Sequence, residues 1–317
     1  MPDLNLLFLG TAPFALPSLQ RLYESEFCPS AVITRPDRPS GRGKKILSPP
    51  VKSTAQTLGL RVLQPSGKKG LFEILEQFQP RLLVNVAYGM ILPPYILDYP
   101  KMGCINVHPS LLPAYRGATP IRRAIMAGDE LTGVSVMYMA EEMDAGDIII
   151  QEEVHIHQGE TYGHLHDRLS QIGAHLLLDA LKMVAGGSAP KTPQNKEKAT
   201  YAPPLSPADE LINWTRPAFE IYNQVRGLAP SPGAYTWFNE KRLKVSRVTP
   251  VENYNMPSHP TGDFSPGTVC MVEKDRFWVA AGKGFIQVLE LQPEGKKRIQ
   301  AEDFLRGYSL QVGETLG

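Results

Sequence analysis

Continuous apolar runs alternate with amphipathic stretches along the first half of the chain. Residues 4–9 form an unbroken apolar run, which is typical of a strand buried on both faces of a parallel sheet. The same pattern predicts further strands at residues 31–34, 81–86 and 103–107. A helical period predicts the intervening helices at residues 17–25, 51–58, 71–78 and 119–127. This alternation predicts an α/β fold with a Rossmann-like, doubly wound sheet in the N-terminal part.

The pattern changes in the second half. β-rich segments at 133–138 and 147–157 extend the sheet, and a long helix follows at 161–184. Glycines, prolines and lysines then interrupt the periodicity, which is typical of a linker. After a predicted helix at 216–226, short apolar runs separated by turn residues predict a small β-barrel, with strands at 233–238, 243–248, 267–271, 277–281 and 285–291.

These patterns predict three parts along the chain. Residues 1–189 form an N-terminal domain, residues 190–206 a linker, and residues 207–317 a C-terminal domain.

Two polar side chains stand at the end of a predicted strand. Asn106 and His108 are two positions apart, so on a strand they point to the same face. Ligands of doubly wound sheets bind beyond the carboxyl ends of the strands. An amide donor can stabilise a developing oxyanion, and an imidazole can move a proton. The sequence MDAGD at 143–147 adds Asp144, a carboxylate that can orient such an imidazole.

The segment NVHPSLLPAYRG at 106–117, followed by MDAGDI at 143–148, resembles the formyltransferases that use 10-formyltetrahydrofolate. The resemblance covers nearly the whole chain. It includes the opening LLFLGTAPFALPSL, the loop RPDRPSGRGKK, the segment VNVAYGMILP and the late segment INWTRPAFEIYNQVRGLAPSPGAYT, which resemble members of the family that act on Met-tRNA. It implies transfer of a formyl group from 10-formyltetrahydrofolate to the α-amino group of methionine on initiator tRNA.

The resemblance implies that Asn106, His108 and Asp144 are the catalytic residues. Formyl transfer needs a free amine, a stabilised oxyanion and a protonated folate nitrogen as leaving group. Asn106 is suited to the oxyanion, and His108 can donate to the same oxygen or move a proton. Asp144 can fix the tautomer of the imidazole or accept the proton of the amine. The sequence leaves open whether His108 or Asp144 is the main base.

The resemblance also implies the folate contacts. One part is a loop formed by Ser110, Leu111, Leu112 and Pro113. The other is an apolar wall for the pterin ring, formed by Tyr88, Ile91 and Leu92. Simple core packing is the alternative for the two leucines of the loop.

The segment 35–45 carries five cations and one acid. Its prolines and glycines predict no regular structure. Because the segment follows the second strand, it projects from the same edge of the sheet as the proposed site. A solvated surface is one interpretation, but the family's tRNA-contacting loop is similar, which implies tRNA contacts for Arg38, Arg42, Lys44 and Lys45.

The charge balance gives no support to nucleic-acid binding by the chain as a whole. The 317 residues contain 33 Lys and Arg against 32 Asp and Glu, a net charge of +1, so no overall field attracts a polyanion. Residues 206–317 carry 13 of each sign. An OB-like barrel that binds tRNA is therefore implied by the resemblance and not by charge.

Other cofactors are not expected. Only Gly10 of the sequence GTAPFA matches the G-x-G-x-x-G pattern, which argues against a nucleotide cofactor. The cysteines Cys28, Cys104 and Cys270 form no metal-binding spacing, so we expect no metal. The resemblance implies 10-formyltetrahydrofolate as a co-substrate that donates the formyl group. No signal peptide or membrane-spanning run is evident, and we expect a cytoplasmic monomer.

Four other functions compete with this interpretation. A 10-formyltetrahydrofolate hydrolase domain, a sugar-nucleotide N-formyltransferase and a glycinamide ribonucleotide formyltransferase share the SLLP chemistry. The basic segment argues against these three. The fourth is a catalytically inactive RNA-binding protein, and the intact Asn106, His108 and Asp144 argue against it.

Overall fold

The computed structural model of the protein describes residues 4–40, 45–251 and 264–317. The chain divides into two compact units. The first comprises Met1–Pro120, Leu131–His155 and His166–Ala202. The second comprises Ile121–Glu130, Ile156–Leu165 and Pro203–Gly317.

The first unit is built on a mixed sheet. Its strands, together with those of two small strand pairs, are β1 (Leu6–Gly10), β2 (Ala31–Ile33), β3 (Arg38–Ser40), β4 (Lys45–Leu47), β5 (Val62–Leu63), β6 (Leu82–Val86), β7 (Cys104–His108), β8 (Arg116–Gly117), β9 (Leu131–Tyr138), β10 (Ile148–His155) and β11 (Tyr201–Ala202). The sheet order is β10-β9-β7-β6-β1-β2-β5. Strands β7, β6, β1, β2 and β5 are parallel, and β9 and β10 are antiparallel additions at one edge.

The order of the strands creates a crevice in the sheet. From β1 the chain adds β2 and β5 on one side, and it then returns to place β6 and β7 on the other. Ligand sites in such sheets lie beyond the carboxyl ends of the strands near this reversal. β1 is buried along its whole length, as its apolar sequence predicts. The carboxyl ends of β6 and β7 therefore face the predicted site.

The six predicted helices lie at their predicted positions, with shifts of a few residues at their ends. The described part of the chain also contains three short α-helices that were not predicted, at Pro94–Leu97, Pro207–Glu210 and Ala301–Gly307. The bounds of all these helices are α1 (Leu16–Tyr23), α2 (Pro50–Thr57), α3 (Gly67–Phe78), α4 (Pro94–Leu97), α5 (Pro120–Ala127), α6 (Tyr162–Ala185), α7 (Pro207–Glu210), α8 (Ala218–Leu228) and α9 (Ala301–Gly307). None of these helices combines the length and apolar character needed to cross a membrane, for the part of the chain that the structure describes.

The second unit contains an antiparallel sheet. Its strands are β12 (Ala234–Phe238), β13 (Lys241–Val251), β14 (Val269–Val272), β15 (Phe277–Ala280), β16 (Phe285–Pro293) and β17 (Ile299–Gln300). The order is β12-β13-β16-β15-β14, and β17 pairs with β16. Asn239 and Glu240 join β12 to β13 with φ angles of 50° and 60°, as a tight hairpin turn requires. The predicted fold class is confirmed in that a Rossmann-like sheet is followed by an antiparallel β domain, where the small OB-like β-barrel was predicted. Closure of this sheet into a barrel stays a prediction.

Two segments differ from their predicted form. The basic segment was expected to lack regular structure, and this prediction is wrong, because β3 pairs antiparallel with β4. Proline is compatible with such an isolated pair, where a missing donor breaks no central ladder. In the predicted linker, β11 pairs with β8, and residues 190–202 belong to the first compact unit. The domain boundaries at 189 and 206 stay a prediction.

Candidate active site

Asn106 and His108 lie at the carboxyl end of β7 and are almost fully buried, with 7% and 4% of their surfaces exposed. Asn85 is the register partner of Asn106 on the parallel strand β6. Its Nδ2 donates to Asn106 Oδ1 across 2.7 Å. This bond occupies the oxygen of Asn106, so its Nδ2 is the group left to bind an oxyanion. Among the described residues, no protein acceptor receives a hydrogen bond from that nitrogen.

The imidazole of His108 lies between a carbonyl and a carboxylate. Its Nε2 is 3.0 Å from the carbonyl oxygen of Tyr115. A carbonyl only accepts, so Nε2 carries a hydrogen and the neutral ring has its lone pair on Nδ1. Nδ1 is 3.6 Å from Asp144 Oδ2, which is too long for a direct hydrogen bond. The Tyr115 carbonyl therefore sets the tautomer that the sequence analysis attributed to Asp144. Asp144 lies beside Nδ1, and its role toward His108 stays a prediction.

Asp144 is held at both its carboxylate and its backbone. Gly117 N donates to Asp144 Oδ2 at 2.8 Å. The Asp144 backbone has a φ of 53°, a left-handed conformation that is uncommon for a residue with a side chain. The Nε2 of Gln194 donates to the Asp144 carbonyl at 2.8 Å. The three predicted catalytic residues are thus brought together at one edge of the sheet.

Gly117 is the position where the site needs glycine. Its φ is 117°, and a Cβ there would lie 2.8 Å from the carbonyl oxygen of Ala202. β8 pairs with β11 at this point through Arg116 N and Ala118 N, while Gly117 N bonds Asp144 instead. A larger residue would separate β11 from β8 or displace the donor to Asp144.

The predicted folate loop at 110–113 is fixed by polar residues of the edge strands. Ser135 on β9 donates to the Ser110 carbonyl at 2.6 Å and accepts from Leu112 N at 3.1 Å. Gln151 on β10 donates to the Leu112 carbonyl and to Ser135 Oγ, at 3.0 and 2.7 Å. Neither Ser135 nor Gln151 was among the predicted site residues. The signal available was a serine in an otherwise apolar, buried stretch of β9.

The apolar members of the loop pack against the same strands. Leu112 is buried with Met137 and Ile148. Leu111 is half-buried and covers Gly133, where an added Cβ would clash with its side chain. Core packing therefore accounts for Leu112. Folate contacts by Ser110, Leu111, Leu112 and Pro113 stay a prediction.

The predicted pterin wall is divided between core and surface. Tyr88 and Leu92 are buried in the core of the first unit, whereas Ile91 is 63% exposed. Burial raises the pKa of Tyr88 to about 12 and opposes the effect of the Arg35 charge, so its phenol stays protonated. In the described part of the chain its hydroxyl has no hydrogen-bond partner. Of these three side chains, Ile91 is the one available to a ligand without rearrangement, and the contacts stay a prediction.

The basic segment is only partly described. Arg38 is exposed on β3, and the Lys45 backbone lies in β4. Arg42 and Lys44 lie outside the described residues. The one acid of the segment, Asp37, accepts from Lys52 Nζ at 2.7 Å and from Gln64 Nε2 at 2.8 Å. These hydrogen bonds lower the pKa of Asp37, and its charge is matched by Lys52, which lies outside the segment.

No group of three or more His, Cys, Asp or Glu residues within 4–40, 45–251 and 264–317 could hold a metal ion. The site instead offers an amide donor, an imidazole and a carboxylate. This set suits addition of an amine to an acyl carbon, in which a negative charge forms on oxygen and a proton leaves nitrogen.

Comparison with known proteins gives two family matches. The Formyl transferase family matches residues 4–181, and the Formyl transferase C-terminal domain matches residues 204–309. Proteins named methionyl-tRNA formyltransferase are similar over essentially their full length. The one from Moorella thermoacetica is 49% identical, over 99% of both chains. The one from Syntrophus aciditrophicus is 46% identical over 100% of both chains, and the one from Bacillus subtilis is 45% identical over 99% of this chain and 98% of its own.

Solved structures share the fold at low sequence identity. The N-formyltransferase from Helicobacter canadensis, in complex with folinic acid and dTDP-3-aminofucose, has a TM-score of 0.66 at 19% identity, covering 94% of this chain and 100% of its own. A methionyl-tRNA formyltransferase from Clostridium thermocellum has a TM-score of 0.54 at 17% identity, covering 78% and 93%. At these identities the likeness concerns the fold alone.

Proposed function

This chain belongs to the formyl transferase family, and we propose that Asn106, His108 and Asp144 carry out its formyl transfer. It functions as a methionyl-tRNA formyltransferase, with 10-formyltetrahydrofolate as the formyl donor and Met-tRNA as the acceptor. The observation that carries this function is sequence identity of 45–49%, over 99–100% of this chain, to proteins named methionyl-tRNA formyltransferase. We infer further that initiator Met-tRNA is the preferred acceptor.

The first step is attack of the methionine amine on the formyl carbon. The carbon–oxygen π electrons move to oxygen, and Asn106 Nδ2 donates to the oxyanion that forms. The bond from Asn85 supports this role, because it holds the amide with its nitrogen free. A fixed dipole needs no reorganisation when the charge appears.

The second step moves a proton. The attacking nitrogen becomes cationic, and it loses a proton to His108 Nδ1, the ring nitrogen that bears the lone pair. Asp144, 3.6 Å away, stabilises the resulting imidazolium. The proton then passes to the folate nitrogen as its bond to the formyl carbon breaks and the carbonyl reforms. His108 is therefore proposed as the main base, and Asp144 as its electrostatic partner.

Binding of the two substrates is assigned to different parts of the chain. Folate is proposed to lie against Ser110–Pro113 and the wall that includes Ile91. The acceptor arm of tRNA is proposed to contact Arg38, Arg42, Lys44 and Lys45, and residues 207–317 are proposed to bind the tRNA as well. We expect the protein to act as a monomer in the cytoplasm, where Met-tRNA is used.

Purified protein with 10-formyltetrahydrofolate and Met-tRNA tests the function. Formyl-methionyl-tRNA is the expected product, and its absence would overturn the proposal. Loss of the formyl group from folate at the same rate without tRNA would indicate a hydrolase. Formylation of an amino-sugar nucleotide in place of Met-tRNA would indicate a sugar N-formyltransferase. Elongator Met-tRNA, offered in competition, tests the preference for the initiator.

A further inference from the structure

Gln194 reaches the catalytic loop from the segment predicted to be a linker. Its Nε2 donates to the carbonyl oxygens of Asp144 and Gly146, both at 2.8 Å. An amide nitrogen carries two hydrogens, and these two bonds use both. Gln194 therefore fixes the backbone on each side of Ala145, immediately next to the proposed partner of His108.

Arg116 fixes the orientation of the Gln194 amide. Its Nε and Nη2 both donate to Gln194 Oε1, at 3.1 and 2.9 Å. Only the oxygen of Gln194 can accept these bonds, so its nitrogen must face the two carbonyls. Nη1 of Arg116 donates to Glu142 Oε1 at 2.9 Å. Only 2% of the Arg116 surface is exposed, and a buried charge persists when its hydrogen bonds are made.

The conformation of Asp144 explains why such support matters. A φ of 53° in a residue with a side chain is strained, and strain of this kind persists when the surroundings over-determine it. Gly117 N holds the carboxylate at 2.8 Å, but that bond acts on the side chain. The Asp144 backbone is bracketed by a longer local bond, Ala145 N to the Glu142 carbonyl at 3.3 Å, and by the two 2.8 Å bonds from Gln194.

We infer that Gln194, oriented by Arg116, is a positioning residue that holds Asp144 at its working distance from His108. The inference rests on the proposed catalytic role of Asp144. It makes residues near 194 part of the catalytic machinery and not only a connection between domains. Gln194 itself touches no reacting atom.

The substitution Gln194→Glu separates the bonds that Arg116 makes to the side-chain oxygen from the bonds that the side-chain nitrogen makes to the carbonyls of Asp144 and Gly146. Glutamate keeps an oxygen for Arg116 but cannot donate to the two carbonyls. We expect kcat to fall by about tenfold while the KM values for folate and Met-tRNA change by less than about threefold, because the interaction acts on the transition state. The uncharged variant Gln194→Met, which also lacks donors, repeats the test if Gln194→Glu folds poorly.

Asn5 provides a matched control at the amino end of β1, the edge of the sheet opposite the site. Its Nδ2 also donates to two carbonyls, those of Phe78 and Gln79, at 2.6 and 3.0 Å, and its Oδ1 accepts from Ser30 Oγ. Asn5→Asp removes the two bonds to the carbonyls and keeps an oxygen for Ser30. We expect it to lower the thermal midpoint about as much as Gln194→Glu does and to leave kcat near that of the wild type. Equal loss of kcat in both variants would overturn the inference.

A double-mutant cycle with Asp144→Asn completes the experiment. If Gln194 acts through Asp144, Gln194→Glu should cause little further loss once the carboxylate is gone. An undiminished loss in the Asp144→Asn background, or wild-type kcat in Gln194→Glu alone, would overturn the inference and leave the proposed function intact. Wild-type turnover in Asp144→Asn itself would instead remove the catalytic role of Asp144, and this inference with it.

Discussion

Asn85 donates from Nδ2 to Asn106 Oδ1 at 2.7 Å, and this single bond decides which end of the Asn106 amide faces the site. The two residues are register partners on β6 and β7, so the backbone holds them opposite each other. Aspartate at position 85 would accept hydrogen bonds but not donate one. The amide of Asn106 would then turn its nitrogen toward Asp and its oxygen toward the oxyanion.

Asn85→Asp should therefore lower kcat by about tenfold or more, the scale of a lost oxyanion donor. Asn85→Val removes the hydrogen bond but offers no acceptor to the side-chain nitrogen of Asn106, so kcat should fall less than in Asn85→Asp. Steady-state kinetics of both variants test this order. Equal or reversed losses would show that the bond does not orient Asn106.

Asn106→Ala and His108→Ala should each reduce turnover by about 100-fold or more, because each removes an oxyanion donor or a proton acceptor. Both side chains project from the end of β7, so the fold should survive. Single-turnover formylation and circular dichroism measure the two effects. A variant that keeps wild-type turnover would show that its residue is not part of the mechanism.

Asp144→Asn keeps the shape of the side chain and removes its charge. Its amide oxygen can still accept from Gly117 N, but it cannot stabilise a proton on His108 Nδ1. Turnover should collapse while folate affinity persists. Folate affinity, measured by titration, and turnover, measured by the formylation assay, are compared for the variant and the wild type. Equal loss of folate affinity and turnover would make Asp144 a binding residue.

Arg42→Ala should weaken tRNA engagement and leave folate affinity unchanged. Contacts to phosphates release counterions, so tRNA affinity should fall steeply with salt, and less steeply in the variant. Arg42→Lys keeps the charge but loses the planar donor fork, and should rescue only partly. Lys182→Ala, which removes an exposed cation of α6, is the charge-matched control. Normal formylation by Arg42→Ala at physiological salt would assign the basic segment to solvated surface.

The ion pair of Arg123 and Asp209 should make the free energy of unfolding depend on pH in the acidic range. Two bonds from Arg123, at 2.7 and 3.1 Å, join bonds from Ser206 on the same carboxylate, and they lower the pKa of Asp209 to about 2. An unfolded aspartate has a pKa of about 3.9. A lowered folded pKa contributes stability above the unfolded value, and this contribution is lost as pH falls from about 4 to about 2.

Asp209→Asn should destabilise the protein by about 1–2 kcal/mol at neutral pH, as expected for a charged hydrogen bond. The difference from the wild type should shrink as the pH approaches about 2. Urea unfolding at several pH values measures it. Asp303→Asn removes a more exposed carboxylate paired with Arg306 and should change little. A pH-independent difference for Asp209→Asn would contradict the assigned pKa.

Residue patterns along the chain were enough to predict the two kinds of sheet and the three catalytic candidates. A short, unbroken apolar run such as residues 4–9 is too brief for a typical helix and gains most from burial as a strand, so it could be predicted without knowing its partners. The spacing of Asn106 and His108 placed both on one face of a strand end, because the alternation of side chains along a strand is also local. The strand pair β3–β4 at the basic segment was not predicted. Prolines and glycines predict no regular structure there, but they are compatible with a short isolated pair.

The orientation of the catalytic groups could not be predicted, because it depends on long-range contacts. Asn85 and Asn106 are 21 residues apart, Gln194 and Asp144 50, and Arg116 and Gln194 78. Hydrogen bonds between side chains so distant leave no periodic trace in the sequence, because they depend on which strands and loops become neighbours after folding. The tautomer of His108 was decided in the same way, since a folded turn brings the Tyr115 carbonyl to Nε2. The residue types of this site predict its chemistry, whereas its geometry depends on contacts that exist only in the folded chain.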